Sequence, residues 1–293
     1  MRVIILGSDS QIGMTIKKNF TNKDDIFFFN KITYDITNES KGFSIFNELK
    51  PNLVINCAAY TNVIDAENNF AICNKINNIS LKNLSTLSNS FNSTILHFST
   101  DYVFDGNKKY KYIESDKTYP LSVYGKTKLL GENQLINNCN NFLIFRVSWL
   151  FSNYKNNFFK FVINKLISND NIYAVNDLYS IPTSADLIAN FLNHVIKNIE
   201  MSKLQKYKDV FHFVNSGKII SWFDLACFIK NNFLKYQDTK TKIIPISSKD
   251  FFKNEIRPYF SALNNYKIRS EFNYKFENWK FSINSLINNN LKL

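Results

Sequence analysis

The chain has 293 residues, of which 45% are hydrophobic and 16% aromatic, so it can bury a large core and is not intrinsically disordered. Its formal charge is +12, which is compatible with an anionic small molecule as ligand. The lysines are scattered and few residues are arginine, so nucleic-acid binding is the least favoured function. No apolar run of about 18 residues and no signal peptide occur, so we expect no membrane partner and a cytoplasmic location.

The first 150 residues alternate apolar strands with helical segments. We predict strands at 2–6, 26–29, 53–56, 95–98 and 142–147, and helices at 11–20, 43–50, 66–90 and 123–137. Strands this apolar, separated by helices, indicate a parallel sheet covered on both faces. Right-handed crossovers then give an α/β fold, a Rossmann-type doubly wound sheet whose ligands bind beyond the carboxyl ends of the strands.

After residue 150 the alternation is weaker. Helices are predicted at 157–167, 184–196 and 221–234, and short strands at 172–175, 210–214 and 242–246. We therefore expect an NAD(P)-binding domain at 1–150 and a smaller C-terminal lobe at 151–293 that mainly binds substrate. Region 151–220 is expected to add elements to the sheet of the first domain.

The turn between the first strand and its helix carries two of the chain's 7 glycines, Gly7 and Gly13. A tight turn that leads into a helix N-terminus is where a dinucleotide pyrophosphate binds, on free backbone amides and the helix dipole. Gly7 would permit the turn, and Gly13 would permit close packing of the helix on the strand. Ser10 stands where a third glycine is usual, and its small side chain is compatible with a nearby phosphate.

Asn30 and Lys31 follow the second strand. An acidic residue here would bond the adenosine ribose 2′-hydroxyl and repel a 2′-phosphate. A neutral residue followed by a cation therefore favours NADPH, with NADH as the alternative.

Small and hydroxylated residues end the third and fourth strands. Ala58 and Ala59 suit a wall along which a cofactor lies, although tight packing would explain them equally well. Thr100 lies at the carboxyl edge of the sheet, where its hydroxyl is a candidate for binding a carbonyl group.

Tyr124 and Lys128 are four residues apart in a predicted helix, so their side chains share one face. An ammonium beside a phenol lowers the pKa of the phenol, which can then exchange a proton with a carbonyl oxygen near neutral pH. The chain contains a second pair with this spacing, Tyr236 and Lys240, so the spacing alone does not single out a site.

Together these features resemble the extended short-chain dehydrogenase/reductase family. The segments run in family order, and the motifs STDYVFDG and PLSVYGKTKLLGE are the most specific. The segments that carry the resemblance lie at 7–13, 56–61, 99–106, 120–132, 146–149, 182–187 and 257–263.

The resemblance implies NADPH-dependent reduction of the 4-keto group of dTDP-4-dehydro-L-rhamnose to give dTDP-L-rhamnose, with a dTDP-sugar as the partner molecule. It implies a catalytic triad and two sets of binding residues. The triad is Thr100, Tyr124 and Lys128. The cofactor set contains Tyr124 and Lys128 together with Gly7, Ser10, Gln11, Ile12, Gly13, Asn30, Lys31, Asp35, Ile36, Ala58, Ala59 and Thr61. The substrate set is Thr100, Asp101, Trp149 and Arg257, whose guanidinium suits a diphosphate.

The chain departs from the family at Ser10, where glycine is usual, and at Asn30, where an acidic residue is usual. It also departs at Leu178, where the family usually has glutamine, and at Ser180, where it usually has glycine. Three alternatives therefore stay open: a reductase of another 4-keto-6-deoxy nucleotide sugar, a related epimerase or dehydratase, and a non-catalytic regulatory subunit of the same fold. The four cysteines show no metal-ligand spacing, so no metal is expected. A homodimer is compatible with the sequence but is not determined by it.

Overall fold

The computed structural model describes residues 1–20, 25–252 and 257–291. Within these ranges strands and helices alternate as far as residue 147. The strands of this half are β1 (Val3–Leu6), β2 (Ile26–Phe29), β3 (Leu53–Asn56), β4 (Thr94–Thr100) and β5 (Phe142–Val147). Its helices are α1 (Gln11–Asn19), α2 (Glu39–Leu49), α3 (Val63–Ala66), α4 (Phe70–Asn74), α5 (Ser80–Ser90) and α6 (Val123–Asn138).

The second half carries shorter strands among its helices. Its strands are β6 (Leu150–Phe151), β7 (Ile172–Val175), β8 (Tyr179–Ser180), β9 (Thr183–Ser184), β10 (Lys208–His212), β11 (Ile220–Ser221) and β12 (Ile243–Ile246). Its helices are α7 (Phe158–Ile167), α8 (Ala185–Asn198), α9 (Met201–Leu204), α10 (Trp222–Phe233), α11 (Ser248–Phe251), α12 (Tyr266–Phe272) and α13 (Trp279–Leu291).

Six parallel strands form the central sheet in the order β10-β5-β4-β3-β1-β2. The apolar strands β1, β3 and β4 are buried throughout because helices cover both faces of the sheet. The chain leaves β1 in one direction towards β2 and returns on the other side to β3. The carboxyl ends of β1 and β3 therefore flank the switch point of this Rossmann-type sheet, where ligands of such folds bind.

The two faces of the sheet are packed by different parts of the chain. On one face, α1, α8 and α12 bury residues such as Ile16, Phe191 and Phe272 against the strands. On the other face, α2, α5 and α6 contribute Phe46, Leu84 and Leu135. The sixth strand, β10, comes from the second half of the chain and pairs with β5.

The remaining C-terminal elements form a lobe with its own core. Helices α7, α10 and α13 pack together around Phe159, Ile229 and Ile283. Three two-stranded pairs, β7 with β12, β6 with β9 and β8 with β11, complete the lobe. Because β6 directly follows β5, this lobe lies beside the carboxyl edge of the central sheet.

The helix predicted at 66–90 is confirmed over residues 70–90, but its start is interrupted and it contains a π-helical turn. The segment contains α4, a π-helical turn at Lys75–Ile79 and α5, and α3 precedes them. The turn brings Asn77 inward, where its side chain accepts a hydrogen bond from Tyr60 N at 2.8 Å and donates one to Tyr60 O at 3.1 Å. These tertiary hydrogen bonds compensate for the interrupted helix and tie it to the loop after β3.

Candidate active site

A cleft of about 660 Å³ opens at the carboxyl edge of the sheet, between the switch point and the C-terminal lobe. Residues from both halves of the chain line it. The predicted site residues that line the cleft are Gly7, Ser10, Gln11, Ile12, Lys31, Asp35, Ile36, Ala58, Ala59, Thr61, Thr100, Asp101, Tyr124, Lys128 and Trp149. Gly13, Asn30 and Arg257, also predicted, lie outside this lining.

The turn after β1 has the close approaches that glycine permits. Gly7 has a φ of +70°, and a Cβ on it would lie 2.5 Å from Ala58 N. A Cβ on Gly13 would lie 2.4 Å from Gly7 O. Larger residues at either position would separate α1 from β1 and β3, so Gly13 shapes the cleft by packing and not by lining it.

Ser10, in the place of the usual third glycine, is the N-cap of α1. Its hydroxyl accepts a hydrogen bond from Gly13 N at 3.1 Å. Among the residues that the structure describes, the N–H groups of Gln11 and Ile12 have no hydrogen-bond partner. Both residues line the cleft, so its edge offers two backbone donors and the positive end of a helix dipole.

The residues after β2 form the open end of the cleft. Asn30 does not line it, because its side chain is engaged as the acceptor for Ile32 N and Thr33 N, each at 3.0 Å. Lys31 is exposed and lines the cleft, as does Asp35. Although partial burial opposes the change, hydrogen bonds from Thr37 and the charge of Lys31 lower the pKa of Asp35.

At the opposite, buried end, Thr100 from β4 meets Tyr124 and Lys128 from α6. The Thr100 hydroxyl lies close enough to the Tyr124 phenol to affect its pKa, and it donates a hydrogen bond to Asp101 Oδ1 at 3.2 Å. Ser122 caps α6 by accepting from Gly125 N at 3.1 Å, and Gly125 packs so closely that a Cβ would lie 2.3 Å from Tyr102 O. This packing holds the first turn of α6, and with it Tyr124, against the segment after β4.

The Lys128 side chain is only 1% exposed, and its amine is turned into the sheet. Lys128 Nζ lies 2.6 Å from Phe98 O and 3.0 Å from His97 Nε2. Burial lowers the pKa of Lys128 to about 8, against the opposing attraction of Glu132.

The expectation that Lys128 lowers the Tyr124 pKa is wrong for this structure. Burial raises the pKa of the phenol, and the nearby Thr100 hydroxyl offsets only part of that rise. The physical reason is the direction of the lysine amine, which faces His97 and Phe98 O. Tyr124 is therefore a protonated phenol near neutral pH.

The predicted substrate-side residues surround this buried end unequally. Asp101 is 2% exposed, and its Oδ2 has no hydrogen-bond partner among the residues described. Burial raises the pKa of Asp101 to about 7, against hydrogen bonds from Ser261 and Thr100 and the charge of Arg257. Arg257 itself lies outside the cleft lining, with its guanidinium carbon 4.0 Å from the centre of the Phe252 ring.

Trp149 stacks on a residue that sequence reasoning missed. Its ring lies 3.9 Å from that of Trp222, centre to centre, at an angle of 14°. Trp149 has a φ of +43°, in the left-handed region, and both tryptophans line the cleft. Trp222 begins α10, far along the chain, and no local motif marks it; only the packing of the lobe brings it to the site.

Other missed lining residues include Lys155, Asn157 and Phe158, from the loop before α7 and its start. His97 was also missed, because it lies inside β4, where a buried histidine reads as part of the core. The second Tyr/Lys pair forms no site: Tyr236 lies in the turn after α10, and its hydroxyl bonds Asn288.

The sheet is of the Rossmann type, and its cleft has a glycine turn at one end and a Thr-Tyr-Lys cluster at the other. These features are those of an NAD(P)-dependent oxidoreductase, which is the class of this protein. The sequence model of the family described as RmlD substrate binding domain matches residues 1–291. The chain belongs to this family.

Three relatives illustrate the similarity. The dTDP-4-dehydrorhamnose reductase of Aggregatibacter actinomycetemcomitans is 32% identical over 97% of this chain and 98% of its own. The crystal structure of such a reductase from Clostridium acetobutylicum has a TM-score of 0.90 at 34% identity and covers 100% of both chains. Another, from Bacillus anthracis in complex with NADP, has a TM-score of 0.88 at 29% identity and covers 97% of this chain and 98% of its own.

Across the described ranges, no helix is long and apolar enough to cross a membrane. The same ranges contain no group of three or more His, Cys, Asp and Glu side chains that could hold a metal ion.

Proposed function

We propose that this protein reduces the 4-keto group of dTDP-4-dehydro-L-rhamnose to give dTDP-L-rhamnose, using NADPH. The observation that carries the proposal is the convergence of Thr100, Tyr124 and Lys128 at the buried end of a cleft whose other end is the Gly7 turn. The relatives named dTDP-4-dehydrorhamnose reductase, which match nearly the whole chain, support the choice of substrate.

The cleft fits a dinucleotide along its length. The positive φ of Gly7 and the two unpartnered N–H groups at the start of α1 suit a pyrophosphate. Ala58, Ala59 and Thr61 would form the wall beside it, and Asp35 and Ile36 would contact the adenosine end. Lys31 would favour a 2′-phosphate there, and Lys128 would hold the nicotinamide ribose at the other end. Asn30 would act only by shaping the loop.

The reduction needs a hydride and a proton, and the nicotinamide supplies the hydride when bound. Tyr124 and Thr100 would donate hydrogen bonds to the sugar carbonyl oxygen, where negative charge develops. Tyr124 would then transfer its proton to that oxygen to give the alcohol. The phenol carries its proton near neutral pH and can therefore act as the donor.

Substrate would enter between this cluster and the C-terminal lobe. The stacked rings of Trp149 and Trp222 offer a flat apolar surface to a sugar. The free Oδ2 of Asp101 is an acceptor for a sugar hydroxyl. Arg257, close enough to Asp101 to lower the pKa of that carboxyl, would reach the diphosphate.

The test is an assay of NADPH and NADH oxidation by the purified protein against a panel of 4-keto-6-deoxy nucleotide sugars. We expect the highest kcat/KM with dTDP-4-dehydro-L-rhamnose and NADPH, with dTDP-L-rhamnose as the product. A higher kcat/KM with another 4-keto sugar would reassign the substrate. Failure to oxidise either cofactor with any sugar, by a protein that binds NADPH, would favour the regulatory subunit.

A cytoplasmic homodimer is part of the same proposal. Neighbouring helices α4 and α6 leave Phe70, Ile72 and Leu130 exposed, and apolar side chains on adjoining helices suit contact with a second copy. Sedimentation equilibrium of the purified protein would give the oligomeric state.

A further inference from the structure

The loop between β6 and α7, residues 152–157, lies beside the start of α1. Ser152 is only 1% exposed, and its hydroxyl donates a hydrogen bond to Gln11 Oε1 at 3.0 Å. Asn157 closes the loop, because its Nδ2 donates to Ser152 O at 2.9 Å and to Tyr154 O at 3.2 Å. The loop follows the last strand before the C-terminal lobe, so these hydrogen bonds join the lobe to the turn that precedes α1.

Lys155 lies within this loop in a backbone conformation that lysine rarely adopts. Its φ is +56°, in the left-handed region. Its side chain is exposed and lines the cleft, and its ammonium group has no hydrogen-bond or ion-pair partner in residues 1–20, 25–252 and 257–291. Backbone strain of this kind persists where the surrounding structure holds it, and it is concentrated at ligand sites.

The turn before α1 carries charges that call for a cation nearby. It offers the N–H groups of Gln11 and Ile12 to an anion, but Asp9 in the same turn also lines the cleft. Each phosphate of a dinucleotide pyrophosphate is negatively charged, so the Asp9 carboxylate repels it. A cation beside the turn would offset this repulsion.

Lys155 is better placed for this task than the other two lysines that line the cleft. Lys31 follows β2 at the open end, and Lys128 is turned into the sheet at the buried end. Lys155 lies three residues after Ser152, which is bonded to the first residue of α1. Its loop is closed by Asn157, so the lysine is held near the turn by the fold itself.

We propose that Lys155 is a cofactor-binding residue supplied by the C-terminal lobe, and that its ammonium group contacts the pyrophosphate held at the N-terminus of α1. This role rests on the proposed use of a dinucleotide cofactor and adds to it a residue from the second half of the chain. Because hydrogen bonds fix the loop in advance, less entropy is lost when the cofactor binds.

The position of the charge on the cofactor gives this lysine a distinct signature. The pyrophosphate is common to NADPH and NADH, so Lys155 should strengthen the binding of both by the same factor. Lys31, in contrast, would act on the 2′-phosphate and so on NADPH alone. A lysine bound to the substrate diphosphate would affect neither cofactor.

The test compares dissociation constants for NADPH, NADH and dTDP, measured by calorimetric titration of the purified protein without sugar turnover. Lys155→Asn removes the charge and keeps a residue that tolerates the left-handed region. We expect it to raise Kd by about 10-fold for both cofactors at low salt, as for loss of one charge-assisted contact, and by less at high salt. Lys155→Arg keeps the charge and should bind both cofactors as the wild type does.

Lys50→Asn is the matched control. Lys50 is also exposed and has a φ of +43°, but it is the C-cap of α2 and does not line the cleft. The same substitution there should leave all three dissociation constants unchanged. Thermal unfolding shows whether each variant is folded, and Lys155→Gly, which adopts a positive φ without strain, replaces Lys155→Asn if the latter is not.

Unchanged affinity for both cofactors in Lys155→Asn would overturn the assignment, as would an equal loss in Lys50→Asn. Weaker binding of NADPH alone would place the lysine at the 2′-phosphate, and weaker binding of dTDP alone would place it at the substrate; either result excludes the pyrophosphate contact. A wild-type protein that binds neither NADPH nor NADH would instead refute the proposed function itself. Wild-type binding that does not respond to Lys155→Asn refutes only the role of this lysine.

Discussion

The two ends of the cleft differ in what controls their chemistry. At the buried end Lys128 and Asp101 are almost inaccessible to water, and burial changes the pKa of both. At the open end Lys31 is exposed, so solvent screens its charge. Under the proposed function, fixed hydrogen bonds would therefore set the reactivity at one end, and a surface charge would set the cofactor preference at the other.

The largest effect should come from the buried end. Replacing Tyr124 with Phe removes the proton donor and leaves the shape of the site, so kcat should fall by about 10³-fold, within the range for loss of a general acid. Steady-state kinetics would measure the fall, and fluorescence titration should show nearly unchanged NADPH binding. Tyr236→Phe, in the second Tyr/Lys pair, should keep the wild-type rate. A Tyr124→Phe enzyme as fast as wild type would remove the tyrosine from the mechanism.

Asp101→Asn should change the pH dependence of stability. Because burial raises the pKa of Asp101 to about 7, the folded protein holds this proton longer than the unfolded chain, and stability is lost as pH rises from about 4 to 7. The free energy of unfolding of the variant, relative to wild type, should therefore increase over that interval, by about 1–3 kcal/mol. Urea denaturation at pH 4.5 and pH 8 measures the difference.

Asp105→Asn is the matched control for that change. Although partial burial opposes it, hydrogen bonds from Tyr112 and Asn107 lower the pKa of Asp105. Its stabilising contribution is therefore present above the unfolded pKa and is lost in acid, so this variant should lose stability relative to wild type as pH rises. The same sign in both variants would contradict the role of burial at Asp101.

Arg257→Ala should have an effect of intermediate size, between those expected at the buried end and at the open end of the cleft. If the guanidinium binds the substrate diphosphate, KM for the nucleotide sugar should rise by about 10-fold, as expected for loss of one charge-assisted contact, with NADPH affinity unchanged. Arg269→Ala, on α12, removes an arginine of the same charge from outside the cleft and should leave KM as it was. Equal KM values for the two variants would place Arg257 outside the substrate site.

The smallest effect should come from the open end. Lys31→Glu should lower kcat/KM for NADPH relative to NADH by about 10-fold or less, because the interaction of an exposed charge with a phosphate is screened. Lys41→Glu carries the same change of charge on α2, outside the cleft, and should leave the ratio unaltered. A preference that does not respond to Lys31→Glu, or that changes equally in both variants, would show that this lysine does not read the cofactor.

Most of the open end was predictable from sequence because its residues are neighbours in the chain. Gly7, Ser10 and Gly13 belong to one turn, and the strands before and after it are apolar enough to recognise. The buried end was predictable only in part. The motifs indicated Thr100, Tyr124 and Lys128, but not the direction of the lysine amine, which depends on His97, a residue that looks like core.

The sequence by itself therefore determined the parallel sheet, through apolar periodicity, and indicated the turn after β1 and the Thr-Tyr-Lys cluster, through motifs that resemble a known family. Only the tertiary structure decided the direction of the Lys128 amine, the pairing of Trp149 with Trp222 and the π-helical turn before α5. These features depend on contacts between residues far apart in the chain, which no local pattern encodes. Because the contacts are buried, water does not compete with them, so they fix the local geometry and change the pKa values of the groups involved.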